Sequence, residues 1–241
     1  MSLQFVHALE QAAELFAAGN RPERSLYYRQ LATTIKRAVY QTCFNRQRGL
    51  VADTPDGQLF SQHTQVLAVL TNCVEPAEHA ALMQRVLTDR SLTACTLYFR
   101  YYLNRALRQA GLGDQYLETL STWRTMVANG HTTFPETEYP DVRSDCHGWS
   151  ASPTYELLST VCGIEPAEPG FRTVRIQPHL GPLRAASGRV PTPLGLVEVA
   201  FRKSAAGKLT GEITLPPAMT GYLLYAGKRL ALTGGHQRII L

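Results

Sequence analysis

Between Gly130 and Trp149 the chain reads GHTTFPETEYPDVRSDCHGW, a stretch with almost no periodic apolar pattern. Glu136, Glu138, Asp145 and His147 stand there beside Phe134, Tyr139 and Trp149. Aromatic rings are costly to leave in water. Next to carboxylates and an imidazole they suit a sugar, whose apolar ring faces stack on aromatics while its hydroxyls bond to the polar groups. A carboxylate in such a cleft takes a proton from water if its surroundings raise its pKa towards the working pH. Glycoside hydrolysis uses two of them. In the inverting version one activates water and the other protonates the leaving oxygen, with the carboxyls ~6.5–9.5 Å apart. The plain alternative is a solvated polar loop between helices.

Within the loop the candidates compete. Glu138 is a rival base two residues after Glu136, and in extended backbone the two side chains point opposite ways, so only one faces a sugar. Asp145 fits better as a cap for the turn before the last helix than as a catalytic group. Cys146 sits beside His147, but nothing in the pattern orients such a pair as a nucleophile.

The elements that must position this loop are helices. Leu3, Val6, Leu9, Ala12, Leu15 and Phe16 share one helical face, and Gly19-Asn20 supplies a stop. A second stripe runs through Tyr27, Leu31, Ile35, Ala38 and Val39, ending before the loop chemistry of Asn45 to Gln58. Ser61 is placed to cap a third helix, and Pro76 suits the first turn of a fourth. Helices are predicted at about Leu92 to Ala110 and Asp114 to Ala128, with a short Gly111-Leu112-Gly113 turn making them antiparallel neighbours. A seventh, about Ser152 to Cys162, is stopped by Gly163. No fixed repeat period is evident, which leaves a bundle or an α/α toroid rather than a solenoid.

After Pro166 the pattern changes. FRTVRIQP, GLVEVAFRK, KLTGEITLP, TGYLLYAG and HQRIIL alternate in short segments divided by Pro and Gly, the signature of an antiparallel sheet or sandwich. The expected division is a helical domain over residues 1–165 and a β domain over 166–241, joined at the Pro-rich EPAEPG.

Composition narrows the class. With 241 residues, 44% hydrophobic and 18% charged, the chain is globular. Its net charge of +5 comes from scattered Lys and Arg, not from a basic run with interleaved aromatics, which argues against nucleic acid. Five cysteines without a C-x-x-C pair read as buried reduced thiols rather than a metal or dithiol site, and no ligand cluster calls for a metal or cofactor. No stretch approaches the ~20 apolar residues that span a bilayer, and MSLQFVHALEQAAELF lacks the pattern of a secretory signal. The expected location is cytoplasmic or periplasmic, with the reservation that MSL resembles a cloning remnant.

GHTTFPET (Gly130 to Thr137), SDCHGWSASPTYELLSTVCGIEPAEPGF (Ser144 to Phe171) and VRIQPHLGPL (Val174 to Leu183), preceded by GLVADTPDG and SQHTQVLAVL (Ser61 to Leu70), together resemble the C-terminal part of bacterial α-L-rhamnosidases of glycoside hydrolase family 78. The resemblance implies a mainly α fold, an (α/α) barrel of six hairpins seen here in part, followed by a small antiparallel β-sandwich. It implies hydrolysis of terminal α-L-rhamnose with inversion, and a rhamnose-containing glycoside as substrate. The family's general base falls by position on Glu136 and its sugar-contacting His on His147, with Trp149 and Phe134 lining the same pocket. His63 and Gln65 match an HTQ pattern, for which packing and a polar role weigh equally. The family's general acid lies upstream, in a motif this chain lacks, so the chain is expected to be an inactive fragment carrying the base side alone. Half a toroid would expose helix faces and favour self-association. A barrel glycosidase for another sugar and a non-catalytic carbohydrate-binding module are the alternatives.

Overall fold

The computed structural model describes residues 1–139 and 141–241. By packing the chain forms two compact units, Met1–Leu112 and Gly113–Leu241.

In the first unit α1 (Ser2–Ala18) and α2 (Pro22–Cys43) form a hairpin around Val6, Leu9 and Ala32. Asn20, not Gly19, takes the left-handed conformation that ends α1 (φ 56°), as asparagine tolerates, and Pro22 opens α2 where its missing N–H costs nothing. The buried face of α2 differs from the expected stripe. Ser25 and Ala32 are inside and Tyr27 is exposed, while Leu31 and Ile35 of the stripe pack half-buried against the hairpin core.

The two-stranded β1 (Phe44–Asn45) and β2 (Leu50–Val51) lead to α3 (Gln62–Leu70). Ser61 caps α3 as predicted, accepting from the Thr64 N–H at 3.3 Å and donating to Asp53 at 2.7 Å. Pro76 begins a 3₁₀ turn that runs into α4 (His79–Thr88), and α5 spans Arg100–Gln109. The predicted helix from Leu92 therefore starts eight residues late. Between them Cys95, Leu97 and Phe99 are buried alternately with exposed neighbours, a period of two. The backbone nearby pairs with the entrance to α3: Thr93 N–H donates to Phe60 O, and Gln62 N–H to Thr93 O. These contacts override the helical pattern.

The second unit begins with a 3₁₀ segment, Gly113–Leu120, where an α-helix was expected, then α6 (Ser121–Ala128). After the loop, α7 (Ser152–Glu156) passes into a π turn, Leu157–Val161. Gly163 (φ 73°) ends it, and a Cβ there would lie 2.1 Å from the Gln177 carbonyl carbon, so only glycine fits.

Helix gives way to strand at Ile164. One four-stranded sheet has the order β10-β7-β6-β5 and the other β3-β4-β8-β9. They use β3 (Ile164–Pro166), β4 (Thr173–Ile176), β5 (Ala185–Thr192), β6 (Gly195–Lys203), β7 (Leu209–Leu215), β8 (Thr220–Tyr225), β9 (Lys228–Leu232) and β10 (Gly235–Ile240). All these pairings are antiparallel except β4 with β8. Val174, Ile176 and Leu223 of one sheet meet Val199, Phe201 and Ile213 of the other in one core, the alternation expected of strands with one buried face. The β8–β9 hairpin turns on Ala226 and Gly227, both at positive φ, the geometry whose twist matches the strands. The chain is thus helical first and sheet-rich last.

Candidate functional site

The loop after α6 has little apolar content to hold it, so hydrogen bonds do. Trp123 of α6, buried, donates its indole N–H to the Ser150 carbonyl at 2.9 Å. Ser150 is itself fully buried, its hydroxyl within reach of the carbonyls of Pro135 (2.6 Å) and His147 (2.8 Å). The Glu136 N–H donates to Ser144 O at 2.8 Å and the His147 N–H to Phe134 O at 2.6 Å. The Thr133 hydroxyl bonds the Asp145 carbonyl. Two runs of the loop, 133–136 and 144–150, are thereby laid side by side, which brings residues eleven and thirteen apart in sequence next to Glu136.

Glu136, His147, Trp149 and Phe134 come together there. The Trp149 indole donates to the Glu136 carbonyl at 3.0 Å. The His147 ring lies against that indole with centroids 4.2 Å apart. Phe134 joins through its carbonyl, the acceptor for His147. Trp149 is 43% exposed, an aromatic surface left open to solvent beside a carboxylate.

Both oxygens of the Glu136 carboxylate are engaged by Arg143, Nε to Oε2 at 3.1 Å and Nη2 to Oε1 at 2.6 Å. The Glu136 side chain is 13% exposed and that of Arg143 77%. The hydrogen bonds from Arg143 hold the Glu136 carboxyl below its ordinary range, against a smaller opposing effect of burial; the charges of Arg143 and His147 add to the lowering. The sequence-based mechanism asks for a raised pKa. The guanidinium reverses that sign, so Glu136 is ionised and fixed at neutral pH.

Glu138 faces elsewhere. With His131, Thr125, Tyr139 and Asp145 it lines a groove of about 530 Å³ that Glu136 does not line. Asp145 caps neither the 3₁₀ turn Gly148–Ser150, whose N-terminal boundary residue is His147, nor α7, whose boundary residue is Ala151. Of the HTQ pair, Gln65 is fully buried and its amide closes on Val51, accepting from N–H at 2.9 Å and donating to O at 2.7 Å. His63 packs on Phe99 at 4.4 Å, and burial lowers its pKa. These are scaffold contacts within Met1–Leu112.

Cysteines 73, 95 and 162 are buried, Cys43 is half-buried and Cys146 is exposed, so the expectation of buried thiols fails for Cys146, which lies in the irregular loop. Burial pushes the Cys73 thiol up to about 11 and Cys95 to about 12. Among the described residues no group of three or more His, Cys, Asp or Glu is arranged to hold a metal ion, and no helix is long and apolar enough to cross a membrane.

Arg143, Ser150 and Trp123 escaped the sequence reading. Their contacts span three to twenty-seven residues through irregular backbone, where no periodicity marks a partner. The only signal was composition: a lone Arg among carboxylates.

Residues 163–238 match the family model of the bacterial α-L-rhamnosidase C-terminal domain. No curated protein matches the chain by sequence. Among solved structures, the chain is similar to the family 78 rhamnosidase of Bacillus sp. GL1, with a TM-score of 0.82 and 25% identity over 95% of this chain and 26% of that one. The Streptomyces avermitilis α-L-rhamnosidase complexed with L-rhamnose gives 0.83 and 19% over 100% and 26%, and that of Dictyoglomus thermophilum 0.82 and 17% over 99% and 31%. The chain spans between a quarter and a third of the length of these proteins. Family match and fold agree with a fragment of a family 78 α-L-rhamnosidase.

Proposed function

We propose that this segment of an α-L-rhamnosidase carries the water-activating side of a site that hydrolyses terminal α-L-rhamnosides with inversion. The observation that carries the reading is the Glu136 carboxylate, held as an anion on a pinned loop beside half-buried His147 and exposed Trp149. In the step proposed, an O–H bond of water breaks and its proton passes to a Glu136 oxygen. The water oxygen bonds to the anomeric carbon as the glycosidic bond breaks on the opposite face. The leaving oxygen takes its proton from an acid outside this chain. Trp149 and Phe134 give apolar surface to the sugar and His147 a hydrogen bond. Support comes from the S. avermitilis relative, solved with L-rhamnose, and from a Klebsiella oxytoca rhamnosidase, solved with rhamnose bound, that matches 63% of this chain.

In this reading residues 1–165 belong to a larger (α/α) barrel and residues 166–241 form a β-sandwich. Phe5, Leu15, Leu26 and Tyr27, exposed on α1 and α2, would lie against other hairpins of the barrel. The test is cleavage of p-nitrophenyl α-L-rhamnoside by this chain and by the complete enzyme. Turnover confined to the complete enzyme, and lost in it on Glu136→Gln, supports the reading; turnover by this chain alone means that an acid lies within it.

One observation favours a second reading. Arg143 engages both oxygens of Glu136, as it would in a loop that binds carbohydrate without cleaving it. Rhamnose binding with no effect of Glu136→Gln on turnover in the complete enzyme would select that module instead.

A further inference from the structure

We propose that Arg143 is a positioning residue for the water-activating carboxylate, fixing the plane of Glu136 along one edge while leaving lone pairs on both oxygens for water. The inference rests on the reading of Glu136 as the base.

The geometry is a fork. Nε and Nη2 of one planar guanidinium reach Oε2 and Oε1 at 3.1 and 2.6 Å, and such bidentate pairing fixes orientation as well as charge. An ionised carboxylate has about four lone-pair sites. The fork occupies one on each oxygen, so one per oxygen is left to accept from water. The remainder of Glu136 is held independently, its N–H by Ser144 and its carbonyl by the Trp149 indole. Arg143 therefore acts on the carboxylate and not on the backbone that carries it. The charged groups acting on that carboxylate are Arg143 and, more weakly, His147.

The arrangement has a chemical cost. A carboxylate paired with a guanidinium is a weaker base than a free one. In return it stays ionised as the medium acidifies and is already aimed, so less is lost to misorientation when water is activated. A merely structural brace would make neither contribution to the reaction.

The experiment is an NMR titration of the Glu136 side-chain carboxyl in this chain, in Arg143→Gln and in Arg143→Lys. The wild-type midpoint is expected below the ordinary Glu value of about 4.3. In Arg143→Gln it should rise to that value or above, because burial is then less opposed. Arg143→Lys, with the charge but not the fork, should fall between. In the complete enzyme the acid limb of kcat against pH should move the same way, with KM for the rhamnoside less affected.

Equal midpoints in all three proteins overturn the inference, and if Glu136→Gln still abolishes cleavage, the assignment of the base survives without it. Shifted midpoints with cleavage indifferent to Glu136→Gln overturn both, leaving the pair as a loop brace. Arg143 is mostly exposed, so its variants should keep the amide spectrum of the wild type; where Arg143→Gln alters the loop, the Lys variant decides.

Discussion

Ser61–Gln65 and the loop from Phe134 to Ser150 are both polar stretches that resemble a rhamnosidase, and both satisfy backbone groups with side chains, but only the loop keeps a carboxylate outside that bonding. In the first, side chains serve the backbone: Ser61 caps α3, and the buried Gln65 amide closes on both main-chain groups of Val51. In the second, the backbone around Glu136 is held by Ser150, Ser144 and Trp149. That leaves a carboxylate and an imidazole available beside open aromatic surface. Whether any charged side chain is left over once the backbone is held, more than polarity, separates scaffold from candidate site.

The contrast breaks first at Glu136. Glu136→Gln keeps the shape and removes the carboxylate proposed to accept the proton, so turnover of p-nitrophenyl α-L-rhamnoside by the complete enzyme should fall about 10²–10⁴-fold, the range for general-base catalysis. The melting temperature should stay near that of the wild type. A variant that retains turnover would remove the functional half of the comparison.

Gln65→Leu should do the reverse. It strands the N–H and the carbonyl of Val51, and each stranded buried group costs about 1–3 kcal/mol. Urea unfolding of this chain should show a loss of at least about 2 kcal/mol. An unchanged midpoint would mean that the amide is not the closure it resembles.

Much of the scaffold was legible because local physics decided it. The Leu3–Val6–Leu9 face of α1, the Ser61 cap, Pro76 at a helix start and Gly163 at a helix end are single-segment properties. Leu92–Phe99 was not legible, because its helical pattern yields to backbone pairing with residues 60–62 that sequence does not announce. Strand existence could be read from alternation. The neighbours of β10 and the parallel β4–β8 pairing depend on closing one core across two sheets. In the site, Glu136, His147, Trp149 and Phe134 were named from residue type and family pattern, while Arg143 was invisible. Nothing local distinguishes a guanidinium that will fold back onto Glu136 from one left in solvent.

Ser150→Ala tests whether the loop is held as described. The hydroxyl faces two carbonyls, Pro135 and His147, and losing one buried hydrogen bond costs about 1 kcal/mol. Stability should fall by that order. In the complete enzyme KM should rise more than kcat falls, because the Trp149 surface loosens while the carboxylate remains.

Acidification should separate the two regions by window. Burial lowers the pKa of His63 and of His7, both in Met1–Leu112, from 6.5. Below 6.5 the unfolded chain takes up protons that the folded unit resists, so this contribution is present above 6.5 and is lost as pH falls through the folded values. Glu136 is lowered from 4.5 by Arg143. Its contribution is present above 4.5 and is lost only as pH falls through its own depressed value. Their order follows from the starting values, 6.5 for the histidines and 4.5 for Glu136. Urea midpoints measured between pH 7 and pH 3 should decline first in a step that His63→Leu and His7→Leu diminish. A later step should be diminished by Glu136→Gln. If the Glu136 variant instead alters the decline between pH 6.5 and 5, the carboxylate is not held ionised by Arg143, and the distinction between a scaffold that titrates early and a site that titrates late disappears.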